Sequence, residues 1–253
     1  MTPGLLPVPG TARGVRACFT TRAGGASTGP YASLNLGSSV GDDPASVRAN
    51  RAALAGALGF DPERAVAMRQ VHGAEVLRVG PDDGAGSFTG SLAGVADADA
   101  CVTTAPGVAL LAMGADCPVI VAWRRDGAGA AAIHAGWRGL VAGVVEAGIA
   151  AMGVPRGEVH AVVGPHVGPC CYPVDHALRA RMAGSFGPQV VRGDAVDLGE
   201  CAAVALERAG VPAVQQGRVV GCTSCDAARF FSYRRDGQAT GRQAAVVILG
   251  GGA

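Results

Sequence analysis

The chain has 253 residues, 49% of them hydrophobic and 16% charged, and its 21 basic against 20 acidic side chains leave a formal charge of +1. That balance argues against a general nucleic-acid surface, which needs clustered positive charge to neutralise phosphates, and favours a small-molecule protein with an ample buried core. No signal-peptide pattern opens the sequence, and no apolar run approaches a membrane span without an intervening Gly, Pro or charge. A cytoplasmic protein with no membrane partner is expected, its eight Cys reduced and mostly serving as small core hydrophobes.

Val15 to Thr20 reads as a strand, followed by the Gly-rich turn Thr21-Arg22-Ala23-Gly24-Gly25. An Arg at the mouth of such a turn can hold an anion, although a surface turn is the commoner outcome. The irregular Gly/Ser/Asn-rich stretch to Gly37 carries Tyr31, Leu34 and Leu36, residues of buried type, and so reads as an ordered functional loop. Asp43-Pro44 opens a helix with Asp as cap and Pro at its first position, and Gly59 closes it. Arg48, Asn50 and Arg51 are expected on its solvated face.

His72 lies between Val71 and Gly73 ahead of a short strand from Glu75 to Val79, a setting in which a satisfied turn residue outnumbers a ligand. Residues 81–94 are rich in Gly, Asp and Ser and read as a flexible loop. Strands follow at Ala100–Thr103 and Val108–Met113, and the chain then reaches Asp116-Cys117-Pro118. Two apolar runs, Val119–Trp123 and Ala130–Ile133, flank a polar tip and read as a hairpin. Cys117 and His134 therefore fall at strand ends, where Gly136 lets another group approach. Leu140 to Met152 reads as one buried helix, Val159–Gly164 as a strand, and helices are expected after Asp175 and over Leu198–Arg208. A last apolar strand spans Ala244–Leu249, and no internal repeat or linker divides the chain.

Four chemistries compete for these residues. Zinc prefers imidazole and thiolate, and a catalytic site uses three protein ligands with one position open. His72, Cys117 and His134 fit by type, but their long separations do not select them by spacing. A Cys–His hydrolase with Cys117 as nucleophile and His134 as base draws on two of the same residues. Cys222-x-x-Cys225 has no second pair at finger spacing and no thioredoxin-like context. Five His without a His-x-His pair argue against copper oxidase chemistry. No phosphate loop or dinucleotide fingerprint implies ATP or NAD.

Ordered motifs along almost the whole chain resemble the YfiH-like, or laccase-domain, family. They are Phe19-Thr-Thr-Arg-x-Gly-Gly, Ser33-Leu-Asn-Leu-Gly, Val40-Gly-Asp-Asp, Asn50-Arg, Gln70-Val-His-Gly, Ala98-Asp-Ala, Ala115-Asp-Cys-Pro-Val, His134-Ala-Gly-Trp-Arg-Gly, Gly164-Pro with Gly168-Pro, Phe231-Ser-Tyr-Arg-Arg-Asp-Gly and Thr240-Gly-Arg. The resemblance implies an α+β fold over residues 1–253 as a single domain, with central mixed β-sheets flanked by helices in α/β/β/α layers, similar to a toxin deamidase. It implies one zinc on His72, Cys117 and His134, and purine nucleosides and phosphate as partners. The implied activities are phosphorolysis of adenosine, inosine and methylthioadenosine together with adenosine deamination. A Cys–His hydrolase editing peptidoglycan precursors is the alternative, and copper enters through a family name alone. Asp116 is a candidate acid/base beside Cys117 and His134, and Arg22, Asn35, Arg51, Arg138 and Arg234 are the candidate substrate-binding residues. The wording around His166 and Tyr172 departs from the commoner family pattern, and no feature sets an oligomeric state.

Overall fold

The computed structural model describes residues 2–83, 87–90 and 95–250. One sheet takes β1 (Leu5–Pro7), β2 (Val15–Thr20), β3 (Ala65–Ala67), β6 (Ala109–Gly114) and β13 (Gln243–Leu249), in the order β1-β2-β13-β6-β3. A second takes β4 (Val76–Val79), β5 (Ala100–Thr103), β7 (Val119–Arg124), β8 (Ala130–His134), β9 (Val159–Val163) and β12 (Gln216–Arg218), in the order β12-β9-β7-β8-β5-β4. The strands β10 (Val191–Arg192) and β11 (Ala195–Val196) form a small ribbon apart. Helices are α1 (Pro44–Leu58), α2 (Trp137–Ala142), α3 (Val144–Ala151), α4 (His176–Phe186), α5 (Leu198–Arg208) and the short α6 (Tyr233–Asp236).

Successive strand residues point to opposite faces, and the apolar strands have no polar face because both faces are covered. In β13, Ala245, Val247 and Leu249 pack between the sheets while Ala244, Val246 and Ile248 face Leu54 and Ala55 of α1. In β7, Val119, Val121 and Trp123 fill the inter-sheet layer while Ile120 and Ala122 face Leu140, Val144 and Ala202 of the helices beyond. The order of layers is thus α1, first sheet, second sheet, then α2 to α5, the layered α+β arrangement expected. Among the described residues, no helix is long and apolar enough to cross a membrane.

Local chemistry sets several boundaries where the sequence places them. The Asp43 carboxylate accepts from the Ala45 and Ser46 amides and caps α1, and Gly59 ends it at φ 63°. Elsewhere the structure corrects the reading. The expected helix over 140–152 is two helices, because Gly143 adopts φ 86° and serves as C-cap of α2 and N-cap of α3. Asn50 and Arg51 are buried rather than solvated. Asn50 donates to Ser27 Oγ, Ser33 O and Asn35 O, and Arg51 donates to Leu36 O and Phe88 O. The polar groups of the loop ahead of α1 have no strand partner, so the helix supplies the donors they need. Within the stretch expected to be a flexible loop, residues 84–86 and 91–94 lie outside the described residues. Phe88, between them, is fully buried, with its ring 5.7 Å from that of Phe60.

Candidate metal centre and active site

The ends of β7 and β8 build the centre. Their register pairs Val119 with His134, which sets Cys117, just before β7, beside the last residue of β8. Asp99 immediately precedes β5, and its carbonyl accepts from the His134 amide at 2.7 Å. The third segment, carrying His72, belongs to no strand. The Asp99 carboxylate fixes it instead, accepting from the amides of Val71, His72 and Gly73 at 3.1, 3.0 and 2.7 Å. These bonds hold His72 at φ 60°, a region that non-Gly residues seldom adopt. Its imidazole then meets His134 edge to face, with ring centroids 4.9 Å apart.

One ligand atom from each of His72, Cys117 and His134 lies within 4.8 Å of the other two, and Cys117 Sγ is 3.9 Å from His72 Nε2. Zinc bond lengths of about 2.0–2.1 Å to nitrogen and about 2.3 Å to sulfur imply tetrahedral edges of roughly 3.5 Å, so a small inward movement would close this set on a metal. A Cβ at Gly136 would come 2.6 Å from His72 Cδ2 and 3.1 Å from Cys117 Sγ, so the approach of these groups requires Gly there. His134 is buried and His72 exposed, which leaves the centre open on the His72 side.

His134 Nδ1 bonds to Asp99 Oδ1 at 2.8 Å, which leaves Nε2 to face Cys117 and a metal. Asp99 is the residue that sequence reasoning passed over, although Ala98-Asp99-Ala100 lay within a matched motif. Burial alone would raise the Cys117 thiol, but His134 and His72 lower it to about 6. Burial likewise works against charge on His134, yet Asp99 and Cys117 raise it to about 9. Without metal, the centre is therefore a thiolate–imidazolium pair at neutral pH.

Asp116 adopts φ 96°, and both of its carboxylate oxygens are engaged, by Thr223 Oγ1 at 2.6 Å and by the Arg234 amide at 2.5 Å. Burial first, then the charge on Cys117, pushes the Tyr172 phenol up to about 12. The Arg234 guanidinium lies 5.6 Å from the Tyr172 ring and that of Arg138 4.5 Å from the Trp137 ring, both on exposed residues. Arg242 also feels Cys117 and Asp116, and burial lowers its pKa. Its motif, Thr240-Gly-Arg, was visible in the sequence, but nothing there tied it to Cys117.

The remaining named residues hold the loop of residues 21–37. Arg22 donates to Ala32 O and Ala227 O and lies over the Phe231 ring. Asn35 accepts from the Gly37 and Arg242 amides and donates to Asp42. Arg51, its pKa lowered to about 10 by burial, gives its donors to the carbonyls already named.

Two of the other imidazoles are committed elsewhere. His160 stacks on Trp123 at 5.7 Å, and His166 is buried against the Gly164 carbonyl. Three Cys (18, 101 and 201) are buried, as expected of core hydrophobes, and burial pushes each thiol up to about 12. The other five are not buried, so most of the eight are not the core hydrophobes expected. Among the described residues, a second donor cluster joins Cys222 and Cys225 to Cys170 and Cys171. Sequence spacing could not reveal that meeting, because about 50 residues separate the two pairs.

The layered α+β fold thus brings together two His and one Cys that could hold a metal ion. Residues 16–250 match the family described as multi-copper polyphenol oxidoreductase laccase, and the chain belongs to that family. It is 41% identical over 249 residues to a purine nucleoside phosphorylase of Pseudomonas aeruginosa, covering 95% of this chain and 96% of that one. It is 37% identical over 246 residues to the purine nucleoside phosphorylase YfiH of Escherichia coli, covering 94% and 95%. The crystal structure of YlmD from Geobacillus stearothermophilus superposes with a TM-score of 0.88 at 35% identity, covering 94% of this chain and 93% of that one.

Proposed function

We propose that this chain is a zinc-dependent purine nucleoside phosphorylase for adenosine, inosine and methylthioadenosine, with adenosine deamination at the same centre. The observation that carries the reading is the convergence of His72, Cys117 and His134 to within 4.8 Å in a chain whose relatives bear the phosphorylase name. Two imidazoles and one thiolate with an open side are a catalytic zinc set. His160 is stacked on Trp123 and His166 is buried against a carbonyl, and among the described residues the donor group holds two imidazoles alone, too few for a multi-copper cluster.

Bound there, zinc supplies a Lewis acid that polarises a substrate oxygen. The chain's own groups perform the rest. In phosphorolysis, a phosphate oxygen forms a bond to the ribose anomeric carbon as the bond to the purine nitrogen breaks, and the electron pair leaves with the base. Arg138 and Arg234 present exposed guanidinium forks that suit the phosphate charge. Tyr172 keeps its proton at neutral pH and can donate a hydrogen bond to the departing purine. Asp116, engaged on both oxygens, orients the Arg234 segment. Asp99 holds the Nδ1 proton of His134 and so fixes the tautomer that leaves Nε2 as a donor.

The test is single replacement of His72, Cys117 and His134 by Ala, with bound zinc and inosine phosphorolysis measured for each. A zinc count per chain undiminished from wild type in any two of the three sinks the assignment. The thiolate–imidazolium pair favours one rival, a Cys–His hydrolase acting on cell-wall precursors. That activity would survive exhaustive chelation and fail on alkylation of Cys117, whereas phosphorolysis is lost on chelation and returns with zinc. Stoichiometric copper with phenol oxidation would overturn both.

A further inference from the structure

We propose that Cys170, Cys171, Cys222 and Cys225 form a second, closed metal site, a tetrathiolate for a zinc-type dication that pins the loop after β9 to the loop carrying Thr223. The four sulfurs all lie within 4.8 Å of one another. Cys225 Sγ is 3.6 Å from Cys170 Sγ and 3.4 Å from Cys171 Sγ. Zinc–sulfur bonds of about 2.3 Å place the corners of a tetrahedron roughly 3.8 Å apart, close to these separations. A disulfide needs about 2.05 Å and joins two sulfurs, which leaves a four-sulfur cluster unexplained. Core packing does not explain it either, because Cys170 and Cys225 are exposed, unlike Cys18, Cys101 and Cys201.

The surroundings suit bound thiolates. The Gly168 amide donates to Cys222 Sγ at 3.2 Å, the kind of contact that stabilises a metal-bound sulfur. A Cβ at Gly168 would lie 3.3 Å from both Cys170 Sγ and Cys222 Cβ, so a larger residue there would make the sulfur cluster give by a few tenths of an ångström. Four thiolates around a dication leave an excess negative charge. Arg235, itself ion-paired with Asp236, fixes the backbone of the pair by donating to Thr223 O at 2.9 Å and Ser224 O at 3.2 Å, the two residues between Cys222 and Cys225. Four protein donors leave no open position, so the site is structural rather than catalytic.

Its reach extends to the first centre. The Thr223 amide donates to His166 O at 3.0 Å, and Thr223 Oγ1 donates to the Asp116 carboxylate, next to Cys117. The tetrathiolate thus holds the segment that holds Asp116. This role is one of positioning.

Metal content tests the proposal independently of phosphorolysis. Protein purified under reducing conditions should carry two zinc ions per chain. Cys117→Ala should carry one, and that protein, reloaded with cobalt, should show the intense sulfur-to-metal charge transfer of a four-thiolate set. Cys222→Ser/Cys225→Ser should keep one ion at the first centre, with turnover lowered several-fold in kcat and KM little changed. Because Cys170 and Cys225 are exposed, Cys170→Ser/Cys225→Ser gives a second variant that folding need not reject, and it should lose the same ion. Zinc absent from Cys117→Ala with all four thiols free to alkylation, or a disulfide among the four in reduced protein, would overturn the site. Failure of the phosphorylase reading would leave the ion retained in Cys117→Ala untouched.

Discussion

The two donor clusters of this chain differ in how many ligands they offer and in what holds those ligands. The first draws one donor each from three separated segments and stops at three. Its residues are set by a carboxylate, Asp99, that binds one imidazole and the backbone under the other. The proposed second cluster draws four thiols from two loops, with backbone amides as its support. Three donors held from behind leave a face on which substrate can compete, whereas four donors spend the whole coordination shell on the protein. Hydrogen bonds from Thr223 Oγ1 to the Asp116 carboxylate and from the Val167 amide to the Asp116 carbonyl both join the two regions.

The comparison breaks most sharply at Cys117. Its replacement by Ala should drop inosine phosphorolysis below about one per cent of wild type, about 2.7 kcal/mol of transition-state stabilisation, and leave the second cluster's metal in place. Asp99→Asn should weaken zinc at the first centre by about 10- to 100-fold in competition with a chelator, with no change at the second. Gly136→Ala should act in the same direction, since its Cβ would meet His72 Cδ2 at 2.6 Å and push that ring aside.

Proton release sharpens the contrast further. The Cys117 thiol sits low, near 6, and His134 high, near 9. Between those values the thiol has already lost its proton while His134 still carries one that zinc must displace. Binding should therefore release about one proton per zinc from this pair at pH 7. Affinity should rise with pH up to about 9, most steeply below about 6, where Cys117 must also deprotonate. Calorimetry in buffers of different ionisation enthalpy reads this directly. The smallest effect belongs to Thr223→Val, which removes one hydrogen bond to a buried carboxylate, at about 1–3 kcal/mol of stability in a denaturant titration.

Much of the layering could be read from the sequence, because β7 and β13 alternate between two apolar faces and α1 carries its own caps. The break at Gly143 was harder to see, since apolar residues continue on both sides and only the backbone angle divides them. Asn50 and Arg51 misled for a different reason. A polar residue on a helix reads as solvated unless the loop it satisfies is known, and that loop is irregular. At the centre, ligand types were legible and their meeting was not. Asp99 looked like one acid in an alternating run, and its four partners come from residues 71–73 and 134. The same limit hid Cys170 and Cys171 from Cys222.

The dependence of His72 on Asp99 has a consequence for folding. Strand β5 pairs Ala100 with Ile133 of β8, and this register aims the carboxylate of Asp99 toward both imidazoles. A slip of one residue would turn every side chain of β5 to the opposite face. It would withdraw the anchor from the His72 backbone and from His134 together. A metal held there would act as a proofreader of strand alignment, because only the correctly threaded sheet presents all three donors.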